Sequence, residues 1–264
     1  MIVRLAALSL PTLTGLAWAW AGGEPRGALF GSIAAFVLSA TFMAMPQLRR
    51  VPPKPGGLFL ITVLLVTALF GLEVEGAQRW LDVRFAVLTS GLVCMPPLAV
   101  MAARVKRGWL IGGLVATFLG GLLQPDASIL LALAGIVAAL GGRNVAVWVA
   151  AVLCASVGGA MALFDTLPAI PYVERVVQDA AAQSVPVAVG LIAAFATSLA
   201  TILWLLPREG VPPGEARALT GCLAGLFLAS MLGPFPTPLL GLAPSAVLGT
   251  GLALAILGQT RRAA

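Results

Sequence analysis

Apolar residues run in long stretches along this chain, broken only by short clusters of charge, glycine and proline. Ten stretches are long enough to be read as helices, at roughly 3–22, 27–45, 58–73, 84–103, 109–123, 128–142, 145–164, 185–206, 218–233 and 239–258. One segment outside them has a different period. From Val173 onward the apolar residues fall at Val173, Val176, Val177, Ala180 and Ala181, one helical face, with Glu174, Arg175, Gln178, Asp179 and Gln183 on the other. This predicts a short amphipathic helix near 172–183, within an outer loop of about 165–184, lying flat in the interface with its carboxylates toward the headgroups.

Composition leaves the ten stretches little alternative to a membrane. Of 264 residues, 60% are apolar and 10% charged, and the mean hydropathy is +1.03, too little polar surface for a water-soluble domain. At about 20 residues per crossing, ten helices leave roughly 64 residues for every loop and both ends. The expectation is an all-α, polytopic integral membrane protein forming a single transmembrane domain over 1–264, with no extramembrane domain.

Charge then orients the chain. With ten crossings and both termini cytoplasmic, the inner side collects 12 of the 16 basic residues and only Glu209 and Glu215 of the acids, a net +10. The outer side carries Arg26, Arg79, Arg84 and Arg175 with eight acids, a net −4, and the two sides together make the chain's +6. The pI of 10.2 is therefore a topology signal and gives no reason to expect nucleic acid as a partner. Ala17-Trp18-Ala19 resembles a signal-peptide cleavage pattern, yet Trp18 and Trp20 fit better as interfacial anchors.

Chemistry is sparse. Histidine is absent, which excludes His-based triads, His-ligated haem and most zinc sites. Cys94, Cys154 and Cys222 lie inside apolar runs without CxxC spacing and read as small packing residues. The two five-helix halves show no sequence repeat, against the inverted-repeat design of small transporters. Acid–base work falls to carboxylates or lysine, few of either, and the unusual carboxylates face outward, in the segment Gly71 to Asp82, in Gln124-Pro125-Asp126, and in the amphipathic segment.

These stretches, in this order, resemble the SEDS family of bacterial cell-envelope proteins, the FtsW, RodA and SpoVE type. GLEVEGAQRWL, from Gly71 to Leu81, is similar to that family's glycine-rich stretch ending in Arg-Trp. Leu88 to Cys94 falls where the family reads Gln-Pro-Ser-Glu-Leu-x-Lys; Gln124-Pro125-Asp126 matches its QPD; Phe235 to Ser245 lies over its Leu-Pro-Leu-Pro-Phe-x-Ser-Tyr-Gly-Gly-Ser. The resemblance covers about residues 70–262. It departs at Gly91 and Cys94, which replace a Glu and a Lys, and in the last signature, where only Ser245 is kept.

The resemblance implies a peptidoglycan glycosyltransferase of the bacterial cytoplasmic membrane, a cell wall polymerase acting on lipid II at the outer leaflet. It implies a class B penicillin-binding protein as partner, besides membrane lipids. The family's proposed catalytic Asp falls on Glu174, and its Glu-Glu pair on Ala182 and Gln183. Glu174 is then the candidate general base, and Arg79 the candidate diphosphate clamp, with Arg84 and Arg175 as alternatives. Trp80, Gln124, Asp126, Asp179 and Ser245 complete the candidate substrate-binding set. A divalent cation would take Glu174 or Asp179 as its ligands, and no ligand spacing argues for one. Against the clamp stands a structural pair of Arg79 with Glu75 or Asp82. Against catalysis stand a scaffold that has lost activity, motivated by Gly91 and Cys94, and an unrelated small-molecule transporter.

Overall fold

The computed structural model describes residues 1–258 apart from 25, 75–76, 85, 143 and 166–168, so Glu75, Arg143, Arg261 and Arg262 of the sequence reading lie outside the described residues. The ten apolar stretches all form helices: α1 (Ile2–Ala21), α2 (Arg26–Ala44), α3 (Pro53–Phe70), α4 (Ser90–Ala102), α5 (Arg107–Leu123), α6 (Ala127–Gly141), α7 (Val145–Phe164), α9 (Val185–Ala200), α11 (Pro213–Leu232) and α12 (Pro244–Ile256). The amphipathic segment forms α8 (Val176–Gln183), and α9 runs on through a π turn, Thr201–Leu205, into the short α10 (Leu206–Arg208). A 3-10 turn, Pro46–Arg50, precedes α3. The protein is a multi-pass helical membrane protein.

Among the described residues, six helices are long and apolar enough to cross a bilayer, and the remaining four, α4, α5, α6 and α12, are shorter. At 1.5 Å per residue, the 13 residues of α4 or α12 span about 20 Å against a hydrocarbon thickness of about 30 Å. Burial resolves the shortfall. Most of α4, α6 and α12 is buried in the bundle, where irregular backbone at membrane depth can be satisfied by protein. The missing length of α4 is supplied by strand and that of α12 by the turns after Gly233.

At the centre α6 packs on α11 with backbone nearly touching backbone. A Cβ on Gly135 would lie 1.9 Å from the Gly221 carbonyl oxygen, and one on Gly225 would lie 2.1 Å from that of Leu131. Gly221 and Gly225 are a Gly-x-x-x-Gly pair, the spacing that lets membrane helices approach closely. The three cysteines are buried and unpaired, as packing residues would be.

At the basic end the helices are tied by an ionic knot that the charge pattern alone did not separate from loop charge. Arg104 donates Nε and Nη2 to the Glu215 carboxylate at 2.9 and 2.8 Å, and Nη2 also reaches the Ile256 carbonyl. Glu215 accepts the Gly258 N–H at 2.9 Å, and Arg4 donates to the Leu254 carbonyl at 2.9 Å. Arg4 and Glu215 are thus buried, not solvent-facing.

At the other end the structure adds a three-stranded antiparallel sheet, β1 (Leu72–Val74), β2 (Ala77–Asp82) and β3 (Val87–Thr89), where the sequence reading has a loop and the start of its fourth helix. Trp80 pairs with Leu72 on one side and Thr89 on the other. Residues 87–89, two of them β-branched, pair with β2 instead of extending α4, which begins six residues later than expected.

Candidate functional site

The sheet carries Arg79 inward. Its guanidinium forms a buried salt bridge with Asp165, the residue just past α7, and lies 4.9 Å from the centroid of the Phe235 ring and 6.0 Å from that of Trp80. Asp82, proposed above as a partner for Arg79, instead accepts the Arg84 N–H at 2.7 Å. The charge partner of Arg79 is thus a residue 86 positions away that the sequence reading treats only as the first of the outer loop.

Glu174 is brought to the same place by strand-like lacing. It forms an isolated antiparallel bridge with Pro236; Thr237 donates its N–H to the Val173 carbonyl at 2.9 Å, and Leu242 its own to that of Tyr172 at 2.7 Å. The N–H of Val176 goes to Thr237 Oγ1. Glu174 is consequently 7% exposed, with Oε2 accepting the Ile170 N–H at 3.0 Å. Burial pushes its carboxyl up to about 7, against the opposing pull of the Ile170 N–H and of Arg79 and with the help of Asp165. Tyr172 and Arg175, on either side, hold left-handed φ values of 56° and 55°, backbone strain of the kind that gathers at functional sites.

This corrects the amphipathic segment. Its helix starts at Val176, after Glu174 and Arg175, and Val176, Val177 and Ala180 are buried within the protein while Ala181 is exposed. Gln178 donates from Nε2 to the Ser230 and Met231 carbonyls at 2.9 and 3.3 Å. The 233–243 segment covers part of the face that the sequence pattern assigns to lipid, and Glu174 turns inward while Arg175 stays exposed. Trp18 meets Tyr172 with ring centroids 4.8 Å apart and planes tilted by 52°, and the Tyr172 hydroxyl donates to the Gly22 carbonyl; Trp20 is exposed, as an anchor would be.

Beside this group lies a polar cavity of about 330 Å³ lined by Asp165, Arg175 and Gln178 and by the turn after α11. Arg175 is exposed there, whereas Arg79 is held by Asp165. Buried Arg79 Nε and Gln178 Oε1 have no hydrogen-bond partner among the described residues. Asp179 sits in the first turn of α8, where the helix dipole favours a carboxylate. Arg84 is exposed at the β2–β3 turn, without an ion pair among the described residues. No cluster of three metal-ligating side chains occurs among the described residues.

The QPD segment lies behind the site. Gln124 is fully buried, accepting from Ser90 Oγ at 2.9 Å and donating to the Leu64 carbonyl. Asp126 caps α6 through the Ser128 N–H and hydroxyl, and its buried Oδ2 has no hydrogen-bond partner among the described residues. A Cβ on Gly91 would lie 2.8 Å from Ile129 Cγ1 and 3.1 Å from that Oδ2, so the glutamate that the resemblance expects at Gly91 does not fit this packing. Ser245 Oγ accepts the Thr89 N–H at 2.9 Å and ties α12 to the sheet. Gln124, Asp126 and Ser245 hold the wall in place and do not line the cavity.

No protein-family model matches the sequence, and no curated protein does. Solved structures do. The rod shape determining protein RodA of Thermus thermophilus superposes with a TM-score of 0.71, at 16% identity over 96% of this chain and 94% of that one. A point mutant of the same protein gives 0.71 at 18% identity, over 97% and 95%. A chain from a peptidoglycan synthase complex, in a structure addressing how polymerisation and crosslinking are coordinated, gives 0.60 at 15% identity over 96% of each chain. At such identities the likeness establishes a shared fold.

Proposed function

We propose that this chain is a divergent SEDS-type protein of bacterial cell wall synthesis, in the cytoplasmic membrane, transferring a polyprenyl-diphosphate-linked disaccharide such as lipid II at the outer face. The observation that carries the reading is Glu174. It stands where the resemblance assigns the catalytic carboxylate, buried beside the Arg79–Asp165 pair in a chain with the fold of RodA.

A carboxyl pushed up to about 7 is matched to general-base work near neutral pH. Glu174 takes the proton of the acceptor sugar hydroxyl as that oxygen bonds to the anomeric carbon of the donor. The bond from that carbon to the diphosphate breaks, and the lipid diphosphate leaves with the electron pair. Arg175, exposed in the cavity, is the better-placed cation for that leaving group; Arg79, neutralised by Asp165, supports the site from beneath. Among the described residues every buried charged side chain sits at or beyond a helix end, which offers a transporter no charged site at the midplane.

The test is incubation of purified protein with lipid II, with and without a class B penicillin-binding protein. Glycan ladders from the wild type and none from Glu174→Gln support the proposal; ladders indifferent to that substitution refute Glu174 as the base. A scaffold reading is favoured by one observation, Gly91 packed onto α6 in place of a glutamate. It predicts no ladder under any condition while the penicillin-binding protein still co-purifies.

A further inference from the structure

A second cavity, of about 300 Å³, lies at the basic end of the bundle, between the N-terminal halves of α3 and α5 with α4 and α6 behind. Its walls are Leu58, Ile61, Leu98, Leu114 and Ile136. It opens sideways toward lipid, with Leu58 57% exposed and Gly112 exposed at its rim. A Cβ on Gly112 would meet nothing within 4 Å, so the groove is unfilled space beside a bare stretch of helix.

One end of this apolar groove carries a cation. Lys54, at the start of α3, holds its Nζ 5.1 Å from the centroid of the Trp109 ring, and both residues line the cavity. Lys54 forms no ion pair among the described residues. The two acids on this side are committed elsewhere: Glu215 to Arg104, and Glu209 to the amino terminus at 4.0 Å. Arg49, Arg50 and Lys106 add to the same positive face. An apolar slot at membrane depth, ending in an unpaired ammonium beside an indole at the interface, is complementary to a molecule with an anionic head and a hydrocarbon tail.

We infer that this groove binds an anionic phospholipid from the leaflet on the basic side, its phosphate at Lys54 and an acyl chain lying between α3 and α5 over Gly112. The site is at the end of the molecule away from Glu174 and does not depend on the proposed activity.

Native mass spectrometry of the detergent-purified full chain tests it, with phosphatidylglycerol and phosphatidylcholine of identical acyl chains as probes. Phosphatidylglycerol binds about fivefold more tightly than phosphatidylcholine, whose choline cation offsets its phosphate, the preference expected of one lysine for a net negative headgroup. Lys54→Gln, an exposed position that leaves folding intact, abolishes the preference. Gly112→Phe fills the slot and weakens both lipids. Equal affinity for the two lipids in the wild type, a preference for phosphatidylglycerol that survives Lys54→Gln, or affinities unchanged by Gly112→Phe overturns the inference. Failure of either lipid to bind leaves the groove to a transmembrane helix of another chain and overturns it as well.

Discussion

Replacing Glu174 by Gln isolates the energetic consequence of burying a carboxyl at this site. The amide keeps the shape and an oxygen to accept the Ile170 N–H. In the wild type the carboxyl rises from an ordinary 4.5 to about 7, a shift worth at most about 3 kcal/mol between its two protonation states. The effective dielectric of a protein interior, nearer 20 than 4, leaves about 1–2 kcal/mol of this. A carboxyl with a raised folded-state value is best tolerated protonated. The folded state therefore binds the extra proton, and stability declines as pH climbs from about 4.5 to about 7, with the full penalty present above that. The chain has no histidine, so little else titrates in this window, and the α-amino group is common to both proteins. Thermal unfolding followed by tryptophan fluorescence at pH 5, 6, 7 and 8 should show Glu174→Gln gaining on the wild type as pH rises, by about 2–8 °C at pH 8. A difference between the two proteins that is the same at pH 5 and pH 8 would refute the claim that Glu174 is buried and perturbed. On the proposed role of Glu174 as the base, greater stability should come together with lost activity.

Asp165→Asn strands the Arg79 guanidinium in a buried setting and should cost about 3–5 kcal/mol, seen as a lower unfolding temperature; the double variant Arg79→Met with Asp165→Leu should recover most of it, and strictly additive losses would contradict a direct pair. Glu215→Gln weakens the knot holding the end of α12, so limited proteolysis should cut after Ile256 sooner than in the wild type. Gly225→Ala, whose Cβ would lie 2.1 Å from the Leu131 carbonyl oxygen, should sharply reduce the yield of folded protein, while Gly214→Ala, with nothing within 4 Å, should leave it unchanged.

The architecture was legible in the chain because membrane burial acts on each segment locally. Any stretch such as Val145–Phe164 must be helical in hydrocarbon whatever surrounds it, and the ten stretches with their charge asymmetry needed no knowledge of contacts. Glu174 is singled out only through the family resemblance, since the amphipathic segment carries Asp179 as well and its pattern does not choose between the two carboxylates. What it faces could not be read from the chain. Asp165 reaches Arg79 across 86 residues, and Pro236 reaches Glu174 across 62, pairings that no periodicity encodes. The same limit hid Arg104 and Glu215, which look like ordinary loop charges until α12 closes over them, and turned Gln124 and Asp126 from candidate contacts into buried supports. Sequence alone determined which segments cross the membrane and which few residues carry charge. The tertiary structure decided which charges are neutralised, because a salt bridge or a buried carboxyl is set by what packs against it from elsewhere in the chain.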